Sequence, residues 1–251
     1  RRQRQMCIRD SYCIFDGGDG IHSDDDLTIP GNATIVSAIG GSGVGSSGAG
    51  NGIYSGGKLA IEGGTIGTAQ GGNATADYKG GGHGIYSNKE LTINSGTIGT
   101  AQGGTGKNGG DGIYSIDDLT IEGGKIEQAT GGNSTDATGG DGIHGDNKLT
   151  ISGGTIGTAQ GGIATADYKS GGSGIYCGDA LTISGGTIGT AKGGNADNGT
   201  GGSGIFSDGK LSIEGGTINA TGGSGKSGGA GIDGDIVSIS NTNTSLDITA
   251  T

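Results

Sequence analysis

One proline, no tryptophan and two phenylalanines among 251 residues already exclude several kinds of protein. A collagen triple helix needs frequent proline and a strict three-residue glycine period, and the 66 glycines here keep no such period. No apolar run approaches the length of a membrane span, so no membrane insertion is expected. Positive charge is scarce as well. A formal net charge of −11 repels nucleic-acid phosphates and anionic lipid, so no nucleic-acid partner is expected. The cysteines number 3 and fall at Cys7, Cys13 and Cys177, a pattern that makes neither a disulfide framework nor a cysteine zinc site. With 29% hydrophobic residues, an ordinary compact globule is short of core material. Order must come from periodicity.

The opening string RRQRQMCIRDS resembles a translated transposon-end sequencing adaptor, an artefact of reading frames taken from short metagenomic fragments. Residues 1–11 are therefore expected to be non-structural. They hold every arginine, and the remainder carries 10 Lys against 24 Asp plus Glu, a net charge of 10 − 24 = −14. On this reading the chain is a fragment of a longer protein, and residues 12–251 carry its fold.

What the sequence has in abundance is one repeated unit. Gly-Ile pairs recur at Ile21, Ile53, Ile85, Ile113, Ile143, Ile175, Ile205 and Ile232, in steps of 32, 32, 28, 30, 32, 30 and 27 residues. Six residues after each of the first seven anchors stands Leu27, Leu59, Leu91, Leu119, Leu149, Leu181 or Leu211. Isoleucine follows two residues later, from Ile29 to Ile213. A third isoleucine (Ile66, Ile98, Ile126, Ile156, Ile188, Ile218) lies five further on in every one of these copies except the first. Length varies almost wholly between a Gly-Gly pair and the next anchor, as in NATADYK, TGKN and NSTDAT.

Alternation such as Leu59-Ala60-Ile61 has the period of a strand, and no helical stripe is sustained anywhere. Gly-Gly pairs such as Gly63-Gly64 mark the chain reversals. One coil holds four or five aliphatic residues, worth about 1.5–3 kcal/mol each when buried. Backbone ordering costs about 1–2 kcal/mol per residue, so a lone coil cannot stand. Stacked coils can, because each strand pairs with its equivalents above and below. The expected fold is all-β: a single-stranded, right-handed parallel β-helix, three-sided, of about eight coils of 27–32 residues. At about 4.8 Å per coil such a rod is roughly 40 Å long. The tail NTNTSLDITAT reads as a partial ninth coil of irregular spacing. A near-identical segment beginning at Thr65 and again at Thr155, a lag of 90 residues, points to duplication of three coils.

If the anchor isoleucine faces inward, its successor faces out. That column reads His22, Tyr54, Tyr86, Tyr114, His144, Tyr176, Phe206 and Asp233. A surface ladder of rings stabilises a sheet by itself, and it also offers apolar surface to the faces of sugar rings. The seven ring residues His22 to Phe206 are therefore candidate carbohydrate contacts. The residue before each Gly-Ile is polar in seven copies: Asp19, Asn51, His83, Asp111, Asp141, Ser173 and Ser203. Stacked carboxylates suit Ca²⁺, which takes six to eight oxygen ligands. Asp111, Asp141, Asp117, Asp118 and Asp146 form the candidate cluster, set against the plainer role of a solvated acidic edge.

Other motifs lead nowhere. GVGSSG from Gly43 fits GxGxxG by chance of composition, without the strand, helix and distal acid of a dinucleotide site. GGAGIDGDI from Gly228 matches a calcium nonapeptide once, without a tandem copy. Pectate-type lyases use an arginine base, absent here beyond residue 11, although Lys58, Lys89, Lys148 and Lys210 lie near the ring row. Hydrolysis needs two carboxyl groups across a glycosidic bond, and neighbours such as Asp117 and Asp118 face opposite ways. Threonine columns such as Thr92, Thr120 and Thr150 lack the paired spacing of an ice-binding face.

The unit legible in DGIHSDDDLTI from Asp19, DGIYSIDDLTIEGGKI from Asp111 and DGIHGDNKLTISGGTI from Asp141 resembles a bacterial β-helix family of carbohydrate-binding domains, relatives in fold of pectate lyases. Glycine-rich, adhesin-like surface proteins look similar. The resemblance spans about Gly17 to Ile239. It implies an extracellular or cell-surface protein that binds acidic or plant-type polysaccharide without catalysis, with Ca²⁺ as a possible aid. The alternatives are a structural stalk or adhesin repeat, and a polysaccharide lyase or hydrolase.

Overall fold

A computed structural model describes residues 17–43, 48–75, 79–240 and 246–251. The suspected adaptor, Cys13 and most of GVGSSG lie outside them. The described chain is all-β, a parallel β-solenoid in which eight stacked rungs enclose about seven turns. Each regular rung carries three strands, as in Ile53–Ser55, Leu59–Ile61 and Thr65–Gln70. The predicted register holds at every anchor, with Ile21, Ile53, Ile85, Ile113, Ile143, Ile175, Ile205 and Ile232 paired in sequence. The Leu and Ile columns of the second strand pair likewise. Among the described residues no helix is long and apolar enough to cross a membrane.

Two details differ from expectation. The first coil does contain a third-strand isoleucine: Ile35 pairs with Ile66, displaced in sequence because Pro30 and Gly31 lengthen the preceding turn. The tail is not a ninth coil. Leu246–Ala250 pairs with Gly216–Thr221 and completes the eight-stranded sheet formed by the third strands, after a longer Ile232–Ile239 strand has taken up the spacing.

The interior is a set of columns. From Ile53 to Ile218, the Ile and Leu of the first two strands, Ile66 and its equivalents, and an alanine column (Ala69, Ala101, Ala129, Ala159, Ala191) are essentially inaccessible to solvent, while Ile21, Leu27, Ile35 and Ile232 of the end rungs are partly buried. Ile66 and Ala69 are both buried although three residues apart, so strict alternation breaks between them, as it does between Ile126 and Ala129. The third residue of the first strand is also buried. Ser55, Ser87, Ser115 and Ser207 occupy that slot, and their hydroxyls donate to main-chain carbonyls, as Ser87 Oγ does to Gly57 and Glu90 at 3.1 Å. Each such serine ties the corner of its own rung to the rung below.

Glycine closes the coil. The Gly-Gly pair after the third strand meets the pair before the next anchor, backbone against backbone, and the variable segment is pinched off beyond this neck. Hydrogen bonds zigzag up it without a break: Gly104 N–H donates to Gly82, Gly110 to Gly104, Gly132 to Gly110, Gly140 to Gly132, Gly162 to Gly140 and Gly172 to Gly162, at 2.7–2.9 Å. A methyl group on Gly140 would lie 2.0 Å from the Gly110 oxygen, so no side chain fits. Glycine at the corners answers a different need, since Gly64 closes the second strand at φ +75°, a conformation that L side chains rarely adopt.

Candidate functional site

The outward column forms a continuous ring ladder. His22, Tyr54 and Tyr86 stack with centroids 4.6 and 5.2 Å apart and planes within 15°. Tyr176 and Phe206 stack at 5.6 Å and 22°. Stacked planes turn their faces along the rod axis and their edges toward solvent, and the rings from Tyr54 to Phe206 are half-buried as a result. Flatness fails in the middle. Tyr114 and His144 meet at 67°, His144 and Tyr176 at 60°. His83 is an additional ring, its imidazole 5.4 Å from Tyr86 and 4.8 Å from Tyr114.

The polar column explains the disturbance. From Asp19 to Asp141, each side chain there accepts the backbone N–H of its equivalent one rung on: Asn51 N–H to Asp19 at 2.5 Å, His83 to Asn51 at 2.8 Å, Asp111 to His83 Nδ1 at 2.9 Å, Asp141 to Asp111 at 2.6 Å and Ser173 to Asp141 at 2.5 Å. Any short acceptor fills the role, which is why Asp, Asn and His interchange along the column. Each carboxylate has a second oxygen, and at Asp19, Asp111 and Asp141 that oxygen faces an imidazole ring.

His144 is the hub. Its Nδ1 lies 3.0 Å from Asp141 Oδ2 and 3.4 Å from Asp111 Oδ2, and its Nε2 lies 2.9 Å from Asp146 Oδ1. Nδ1 is fully buried yet makes no hydrogen bond, because both oxygens stand off its axis. Burial alone lowers the pKa of an imidazole; here the three carboxylates around the ring, Asp111, Asp141 and Asp146, outweigh it and push His144 up to about 12. Burial also raises Asp111, but His144 and His83 prevail and hold it well below the usual carboxylate range. Asp141 is raised, by burial above all and by the Asp111 charge. Asp146 is lowered by its bond to His144, opposed by burial, and it also accepts the Tyr114 hydroxyl at 2.6 Å.

Of the five acids expected to gather, Asp111 and Asp141 converge on one side of His144 and Asp146 holds the other side. Asp117 and Asp118 are occupied at the next corner, where Asp117 accepts from the Asn147 amide and Asp118 from the Lys148 N–H, both at 3.3 Å. The donors that meet are two carboxylate oxygens and an imidazole nitrogen. That set is poor in the oxygens that Ca²⁺ requires.

Beside the upper ladder lies a groove of about 310 Å³, lined by Tyr176, Phe206, Asp141, Ser173, Thr200 and Ser203 together with neck glycines. Sequence reasoning reached its rings and the polar-column residues. It missed Thr200, which sits in a variable excursion without periodic signal. It also placed His144 only among the rings, although DGIH recurs at Asp19–His22 and Asp141–His144 with an acid two residues later each time. His22 makes the same clamp, 2.6 Å from Asp19 and 3.0 Å from Asp24, without a carboxylate from a rung below among the described residues. Comparison with known proteins finds no matching family model, no similar curated protein and no similar solved structure.

Proposed function

We propose that this chain is a non-catalytic polysaccharide-binding rod of the cell exterior, and that its glycan contact is the groove beside Tyr176 and Phe206. The observation that carries the proposal is the lining of that groove. Exposed ring surface adjoins a carboxylate (Asp141) and three hydroxyls (Ser173, Thr200, Ser203) in one shallow trough. A pyranose has an apolar face and a rim of hydroxyls, and such a trough meets both. The rings from Tyr54 to His144 contribute less than their count suggests, since each has a ring neighbour on both sides, whereas Phe206 ends the row with Asp233 in place of a ring on the next rung. Net charge of −11, with Asp141 in the trough, favours a neutral glycan over an acidic one. The cell-exterior placement follows from a polysaccharide partner and from the resemblance of the repeated unit to extracellular β-helix domains.

Affinity electrophoresis in gels carrying neutral polysaccharides tests the proposal. Replacing Tyr176→Ser together with Phe206→Ser is expected to abolish retardation, while Tyr54→Ser with Tyr86→Ser leaves most of it. Equal retardation of both variants and the parent chain would remove the groove from consideration, and no retardation of the parent in any gel would leave the rod as a spacer.

A further inference from the structure

We infer that Asp111, Asp141 and His144 form a binding site for a divalent transition-metal ion of the zinc type, with Asp111 Oδ2, Asp141 Oδ2 and His144 Nδ1 as ligands. The inference does not depend on glycan binding, although Asp141 belongs to both sites, and it rests on three observations.

The first is convergence. The three ligand atoms all lie within 4.8 Å of one another, and His144 Nδ1 is 3.0 and 3.4 Å from the two oxygens. Ligands bound about 2.0–2.1 Å from a tetrahedral ion stand roughly 3.3 Å apart, so little movement is needed to close on one. The second is the unpartnered nitrogen. Nδ1 is sealed from solvent and has no hydrogen bond, with both carboxylate oxygens off its axis. A hydrogen bond wants its acceptor on that axis. Ligands sharing an ion with the nitrogen are displaced from it, and the ion itself takes the axis.

The third observation is the outer shell. Asp146 Oδ1, 2.9 Å from Nε2, can hold the proton of that nitrogen, so that an arriving ion has only the Nδ1 proton to displace, the carboxylate–histidine arrangement common at metal sites. Asp111 Oδ1 takes the Asp141 N–H at 2.6 Å, and Asp141 Oδ1 takes the Ser173 N–H at 2.5 Å. Every ligand is thus oriented by a bond made at its other end. An imidazole in the set favours a borderline ion over Ca²⁺ or Mg²⁺, and three protein ligands leave a coordination position for water.

The full chain, stripped with EDTA and titrated with ZnCl₂ in a calorimeter, should bind one equivalent of Zn²⁺ at this site, at least about 100-fold more tightly than Ca²⁺. Two variants follow the protein's own precedent. His144→Tyr installs the residue that Tyr54, Tyr86, Tyr114 and Tyr176 carry in the same column. Asp111→Asn keeps an acceptor for the Asp141 N–H, as Asn51 does for His83. Both should retain parental circular dichroism, and both should weaken zinc binding by about 10- to 100-fold or more. His22→Tyr, at the clamp of the first rung, should leave affinity unchanged. Co²⁺ at the site should give the intense visible bands of a four-coordinate ion, lost in His144→Tyr. Absence of a stoichiometric equivalent, parental affinity in both variants, or equal affinity for Ca²⁺ would each overturn the site and leave an ion pair within an acidic edge.

Discussion

Cys177 shows how much one side chain is constrained by its column. It occupies the buried slot held by serine at Ser55, Ser87, Ser115 and Ser207, and its thiol donates to the Asn147 carbonyl at 3.0 Å as those hydroxyls do to theirs. Burial pushes its thiol up, so the thiolate that reacts with alkylating agents is suppressed as well as enclosed. Iodoacetamide should leave the Cys177 peptide unmodified in the native chain and modify it fully in guanidinium; peptide mass spectrometry separates it from Cys7 and Cys13. Cys177→Ser should change stability by less than about 1 kcal/mol, because the hydroxyl restores the same bond. Rapid native labelling, or a loss of several kcal/mol in the serine variant, would show that the column does not set the chemistry of its members. The slot was not legible beforehand. Period-two alternation puts Ser55 on the same side as Ile53, but a hydroxyl reads as surface until main-chain carbonyls are known to line the corner.

Among elements, the three strand stacks were legible and the glycine neck was not. Ile and Leu recur at fixed offsets from the anchor, and in-register stacking follows because no other arrangement buries them all. Glycine pairs were read as chain reversals, which holds at Gly64. The neck glycines answer to contact between two passes of the chain joined through an excursion of variable length, and no side-chain pattern reports such a contact. Its cost can be measured. Gly140→Ala places a methyl group 2.0 Å from the Gly110 oxygen, with main chain on both sides and nothing flexible to give way. Gly31→Ala meets nothing within 4 Å. In urea denaturation the first should lose more than about 4 kcal/mol or fail to fold, and the second should stay within about 0.5 kcal/mol of the parent. Similar losses in both would mean that the neck can dilate. The candidate metal cluster was half legible for a related reason: Asp111 and Asp141 share a column and were found together, whereas His144 belongs to the adjacent column and was counted with the rings.

At the scale of the whole molecule, each rung pairs only with its neighbours, so rungs should behave as interchangeable units with sites assembled across specific steps. Asp111 lies on one rung, Asp141 and His144 on the next, and the Tyr176–Phe206 groove runs from Asp141 over the two rungs after that. Deleting Ile175–Gly204, 30 residues, joins Gly174 to Ile205 with every column in phase. Phe206 then stacks directly on His144. Because exposed surface on unfolding scales with the number of turns, the urea m-value should fall by about one-seventh while unfolding stays a single transition. Asp111, Asp141 and His144 all remain, as does the Ser173 N–H that orients Asp141, so zinc affinity should be retained. Tyr176, Thr200 and Ser203 are gone, so retardation by polysaccharide should vanish. A shortened chain that aggregates or unfolds broadly would show that rungs are not equivalent units. One that folds but keeps its glycan retention would place the sugar contact elsewhere on the rod, and one that folds but loses zinc would tie the metal to the Tyr176 rung instead of the step below it.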